Sequence, residues 1–170
     1  MVSRRGMAMN TLSYEKEMIR KTIELIQIPS IKEAKTLEFP FGKPVGKALH
    51  WVLELCQSLG MKTKNFDNYI GMAEIGEGEK EIGILCHLDV VSIPEEEPWI
   101  YPPFQGVVED DKIYGRGAID NKGPTIAAIY AVKKILDQNI SLSKRVRLIF
   151  FTDEETGWQD VAYYLKQEKP

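Results

Sequence analysis

Apolar residues recur at helical spacing in two stretches of the first third of the chain. Over residues 13–28, Met18, Ile19, Thr22, Ile23 and Ile26 fall three and four apart, which predicts an amphipathic helix that Pro29-Ser30 ends. A loop with Pro40, Gly42 and Pro44 leads to a second helical face over residues 45–59, made by Val45, Ala48, Leu49, Val52, Cys56 and Leu59 and closed by Gly60. Residues 61–66 and 70–75 predict two strands of a hairpin-like pair, and Gly76-Glu77-Gly78-Glu79 turns into the next strand. That strand, EIGILC over residues 81–86, is almost continuously apolar, which predicts cover on both faces.

Residues 89–104 hold four prolines and predict a long irregular loop, a length that is usually functional in compact domains. Residues 105–114 place Glu109-Asp110-Asp111 between apolar pairs and predict a two-strand ribbon around an acidic turn. Pro124 lies near the start of a third helical pattern through Ile126, Ile129, Tyr130, Lys133 and Leu136, a position where a missing N–H costs little. Residues 146–151, VRLIFF, again form a buried-strand run, and residues 157–169 predict a last helix before Pro170. The crossover between EIGILC and VRLIFF is long enough to make the two strands parallel. The expected fold class is α/β, with a mixed, largely parallel sheet flanked by helices.

Composition narrows the functional classes. A chain of 170 residues suits one domain. With 22 Lys and Arg against 25 Asp and Glu, it has no general attraction to phosphate backbones or anionic lipid, so neither nucleic acid nor membrane is expected as a partner. No apolar run approaches bilayer length, and the start MVSRRGMAMNTL lacks the apolar core of a secretory signal, so the cytoplasm is the expected location. Cys56 and Cys86 sit inside apolar segments and read as small hydrophobes rather than a disulfide scaffold.

The chemically suggestive groups follow the ends of the buried strands, where open α/β sheets place their sites. In His87-Leu88-Asp89, residues two apart on an extended chain share a side, so Asp89 can orient His87 and fix its tautomer, as it would for a metal-binding histidine. A histidine simply hydrogen-bonded at a strand end is the plain alternative. Gly115 to Pro124, GRGAIDNKGP, lacks both phosphate-loop spacings; its Asp120 reads as a helix N-cap or as a ligand. Asp153-Glu154-Glu155 follows VRLIFF and reads as a solvated acidic turn or as carboxylates gathered around a cation. Together, one histidine and carboxylates at successive strand exits suit Zn or Mn. Over residues 87–120 eight acids face only Lys112 and Arg116, which favours cations. His50 lies on the polar flank of the second helix and reads as structural or solvated.

These clusters in this order resemble the M20 family of metallopeptidases, and within it the PepV-like dipeptidases. The resemblance rests on His87-Leu88-Asp89-Val90-Val91, the Tyr-Pro-Pro-Phe that ends at Phe104, GRGAIDNKGP, and Asp153-Glu154-Glu155-Thr156-Gly157-Trp158, and it extends to Ile28-Pro29-Ser30 and Pro40-Phe41-Gly42-Lys43-Pro44. It implies two divalent metal ions, Zn or Mn, with His87 on one, Glu155 on the other and Asp120 bridging. Glu154 would be the general base, Asp89 would orient His87, and the peptide after Asp120 would be cis. The implied substrate is a dipeptide; N-acyl amino acids are the alternative substrate, and a non-catalytic remnant or interaction module the alternative to an enzyme. Asn121 departs from the pattern, since many relatives have a second acid there. Family members also carry a further acidic ligand, a lid domain and a distant histidine ligand, none of which these residues supply. The expectation is therefore the N-terminal portion, residues 1–170, of a single metallopeptidase catalytic domain, with a second polypeptide as a source of the remainder and little activity alone.

Overall fold

The computed structural model describes residues 4–168, with side chains from Tyr14 onward. The elements run α1 (Arg4–Ile26), α2 (Lys43–Ser58), β1 (Lys62–Phe66), β2 (Ile70–Ile75), β3 (Glu81–His87), β4 (Val107–Glu109), β5 (Lys112–Tyr114), a kinked turn (Ala118–Lys122), α3 (Gly123–Asp137), β6 (Arg145–Phe151) and α4 (Gln159–Gln167). The main sheet has the order β1-β2-β6-β3, and β4 and β5 form the separate antiparallel ribbon expected around the acidic turn. α1 starts well before the first apolar position of the predicted helix. α4 starts at Gln159 because Trp158 takes a left-handed conformation, φ 55°, that stops the helix from reaching back to Gly157. The expected helical residue Lys169 and the first three residues of the chain lie outside the described residues.

The sheet is mixed, as expected, but parallel pairing is confined to β3 and β6. β1 and β2 form a hairpin, and β2 pairs antiparallel with β6. Strand alternation divides the core in two. Ala73, Ile75, Val146, Leu148, Phe150 and Cys86 face α1, α2 and α3, joining Leu25, Leu49, Val52, Ile126 and Ile129. On the other face Ile70, Met72, Ile149 and Phe151 meet Tyr164 of α4. The expectation that EIGILC is covered on both faces is overturned. β3 is an edge strand, α4 packs on β2 rather than on β3, and Ile82 and Leu85 remain 49% and 64% exposed.

The connection from the kinked turn into α3 requires a residue without a side chain. A Cβ on Gly123 would stand 2.3 Å from the carbonyl oxygen of Ala118, a backbone atom that cannot swing aside. Gly123→Ala is therefore expected to lower stability by about 1–3 kcal/mol despite the better helix propensity of alanine; urea unfolding followed by circular dichroism measures the difference.

Candidate metal centre

In the β3–β6 register His87 lies opposite Phe151, so both strands end at the same level. The residues that follow them, Leu88-Asp89 and Thr152 to Trp158, are thereby adjacent. His87 is buried. Its Nδ1 lies 3.1 Å from the carbonyl oxygen of Asp89 and 3.6 Å from that residue's carboxylate, and its Nε2 lies 2.8 Å from Asp120 Oδ1. Asp89 therefore does face His87, through its backbone more closely than through its side chain. The Asp89 carboxylate, 1% exposed, accepts the amide N–H groups of Glu154 and Glu155 at 3.2 and 3.0 Å. It thus ties the strand exit that carries His87 to the turn that carries the glutamates.

Asp120 sits on the kinked turn before α3, in extended backbone and followed by a cis peptide to Asn121, as the resemblance implied. It makes no capping hydrogen bond to α3; its carboxylate is largely exposed and points to His87. The turn is anchored by Lys122, whose fully buried ammonium donates to the carbonyls of Leu25 and Ile28 at 3.0 and 2.7 Å. Leu25 lies in the last turn of α1 and Ile28 two residues past its end, so Lys122 ties the turn to the exit of that helix.

One donor atom each from His87, Asp120 and Glu155 lies within 4.8 Å of the other two. Glu154 approaches as well, with a carboxylate oxygen 3.9 Å from His87 Nε2. Burial pushes the His87 imidazole toward the neutral form, but hydrogen bonds to Asp89 and Asp120 outweigh it and raise its pKa to about 9. Glu155 is raised by burial, against the pull of His87 and with the nearby Asp120, Asp89 and Glu154 adding to it. Burial alone brings Lys122 down to about 7. Around His87 the carboxylates of Asp89, Asp120, Glu154 and Glu155 outnumber the cationic groups. A nitrogen whose partner atom is already held, beside two partly exposed carboxylates, fits a divalent cation of borderline or hard character such as Zn²⁺ or Mn²⁺.

Several supporting residues were not anticipated. Asp153, fully buried, pairs with Lys32, and Asp160, also fully buried, accepts the amide N–H groups of Thr152 and Asp153 at 2.7 and 3.0 Å. Ser30 donates to the carbonyl of Leu88 at 2.6 Å. Asp153 and Ser30 stand in runs already singled out in the sequence, whereas Lys32 and Asp160 carried no signal. Not all of the local acids belong to the cluster: Glu97 pairs with Arg116, which also lies over the Trp99 ring, and Glu109 accepts from Tyr101. His50 bonds to Asn68 at 2.6 Å, in keeping with a structural role.

Comparison with known proteins matches this arrangement. Residues 83–170, which include every member of the cluster, match the profile of peptidase family M20/M25/M40. The chain belongs to peptidase family M20/M25/M40. Over 157 residues it is 45% identical to "Putative dipeptidase YtjP" of Bacillus subtilis (strain 168), covering 91% of this chain and 34% of that protein. It is 41% identical over 160 residues to a "Putative dipeptidase" of Staphylococcus epidermidis, with 93% and 34% covered. The chain thus spans about a third of the length of these relatives. Among solved structures, the M20 family metallo-carboxypeptidase Sso-CP2 of Sulfolobus solfataricus superposes with a TM-score of 0.73 at 30% identity, over 89% of this chain and 34% of that one. Human carnosine dipeptidase 1 shares the fold, with a TM-score of 0.78 at 24% identity over 91% and 36% of the two chains.

The double role of Asp89 gives a test of this M20 site. Asp89→Ala removes the acceptor of two amide N–H groups while leaving the backbone carbonyl that faces His87 Nδ1, and is expected to cost about 3 kcal/mol of stability. Chemical denaturation monitored by tryptophan fluorescence measures the loss.

Proposed function

We propose that this chain is the N-terminal portion of the catalytic domain of a metal-dependent dipeptidase. The observation that carries the reading is the convergence of His87, Asp120 and Glu155 within 4.8 Å at the exits of the parallel strands. Relatives named as dipeptidases and a metallo-carboxypeptidase of the same fold support it. His87 would hold one ion, Glu155 a second, and Asp120 would bridge them. Bound divalent ions supply Lewis acidity, lowering the pKa of water and polarising a peptide carbonyl. Glu154 is the general base: it accepts the proton of the attacking water and returns it to the leaving amine, so that one dipeptide and one water give two amino acids. Asp89 holds His87 and the backbone of Glu154 and Glu155, so the base and both outer ligands keep one relative position.

Two ions sharing Asp120 would take two protein ligands each from these residues, where a catalytic zinc ordinarily takes three. The third for each ion would come from polypeptide outside these 170 residues, continuous with them or supplied as a second chain. Among the described residues no helix is long and apolar enough to cross a membrane. The free, buried Cys56 and Cys86 fit a reducing compartment, and we place the protein in the cytoplasm.

Binding of an ion at His87 Nε2 must displace a proton, because the imidazole titrates near 9. Apparent affinity for Zn²⁺ or Mn²⁺ is therefore expected to rise up to about a hundredfold between pH 6 and 8 and to level off above 9. Calorimetry in buffers of different ionisation enthalpy would report the released proton, and Asp120→Ala should abolish tight uptake. In the enzyme carrying all its ligands, Glu154→Gln is expected to lower kcat for a simple dipeptide by about 100-fold or more while leaving metal uptake unchanged. Equal loss of metal uptake would instead make Glu154 a ligand.

A further inference from the structure

The turn that carries Glu154 and Glu155 winds around the buried Asp153. The Asp153 carbonyl accepts the amides of Gly157 and Trp158 at 3.2 and 2.9 Å, and its carboxylate accepts the amide of Gln159 at 3.1 Å and the hydroxyl of Thr156. Among the described residues, Lys32 is the one cation in ion-pair contact with this carboxylate: its Nζ lies 2.5 Å from Oδ1 and 2.9 Å from Thr156 Oγ1. The Lys32 side chain passes over the ring of Phe41, 5.2 Å from its centre, and is only partly exposed.

Lys32 belongs to residues 28–32, which reach the other two clusters as well. Ser30 bonds to Leu88, Val90 donates to the Ser30 carbonyl at 3.0 Å, and the Ile28 carbonyl accepts from Lys122. One short segment therefore touches the flanks of His87, Asp120 and Glu154-Glu155, three groups that come from distant parts of the chain. We propose that Lys32 is a positioning residue, which fixes the Glu154-Glu155 turn in register with His87 and Asp120; the proposal rests on the reading of those residues as base and metal ligands. Without the ammonium, a buried carboxylate stands uncompensated beside two further acids, and the turn relieves it by opening toward water.

The test compares the unsubstituted chain with Lys32→Met, Lys32→Arg and the double variant Lys32→Met/Asp153→Asn. Amide hydrogen exchange is followed on the metal-free proteins, and zinc uptake by calorimetry. Lys32→Met is expected to speed exchange at the Glu154 and Glu155 amides by about tenfold or more while leaving β6 unchanged. Zinc affinity should fall by about 10- to 100-fold, and Lys32→Arg should restore both. The double variant removes the buried charge, so it keeps the fold even where Lys32→Met does not. It should still show fast exchange in the turn, because the link to residues 28–32 is gone. Unchanged exchange in the single and double variants, or an acceleration spread evenly over the chain, would overturn the proposal. An unsubstituted chain that takes up no zinc would defeat the metal-site reading instead, and the exchange measurement would still decide the role of Lys32.

Discussion

The parallel pairing of β3 with β6 is the constraint on which the site depends. It sets His87 level with Phe151, so the strand exits lie side by side and the Asp89 carboxylate can reach two amides of the turn after β6. A shift of one residue would turn His87 to the opposite face of the sheet and carry Asp89 away from those amides. The hydrophobic alternation of β6, with Val146, Leu148 and Phe150 on one side and Ile149 and Phe151 on the other, enforces that register, since both faces are covered there.

The rest of the centre follows from charge. Four carboxylates, those of Asp89, Asp120, Glu154 and Glu155, gather around one imidazole, and each is prevented from relaxing outward by backbone held elsewhere. Asp89 is locked by amides, the Asp120 turn by the buried Lys122, and the Glu154-Glu155 turn by Asp153 and Asp160. Burial disfavours charge on His87, but hydrogen bonds to Asp89 and Asp120 favour the protonated imidazole, so positive charge is welcome at this point of the site. A divalent cation answers the same demand more fully, and metal uptake and proton release are accordingly two sides of one equilibrium.

Much of this was legible in the sequence. The three clusters, the place of two of them at the exits of β3 and β6, and the α/β alternation came from hydrophobic period and residue type; the Asp120 cluster follows the β4–β5 ribbon rather than a buried strand. The antiparallel share of the sheet was partly concealed, because a hairpin signal at residues 61–75 does not say which strand the hairpin joins. The exposure of β3 was hidden for a different reason: Ile82 and Leu85 carry a buried-strand pattern, yet they point to opposite faces of an edge strand and each stays exposed. Lys32 and Asp160 carried no signal, and the buried anchoring roles of Lys122 and Asp153 inside their motifs were not legible, because a buried charge is recognised only by its partner in the fold. Asp89 was found for its contact with His87, whereas its bonds to Glu154 and Glu155 cross 65 and 66 residues.

The central claim is that His87, Asp120 and Glu155 form a metal site. Anomalous diffraction from crystals of this chain grown with zinc, recorded on both sides of the zinc absorption edge, tests it most directly. The account predicts an anomalous peak at ordinary coordination distance from His87 Nε2 and from carboxylate oxygens of Asp120 and Glu155, with the His87–Asp120 hydrogen bond broken. Zinc bound elsewhere, with that hydrogen bond intact, would contradict it.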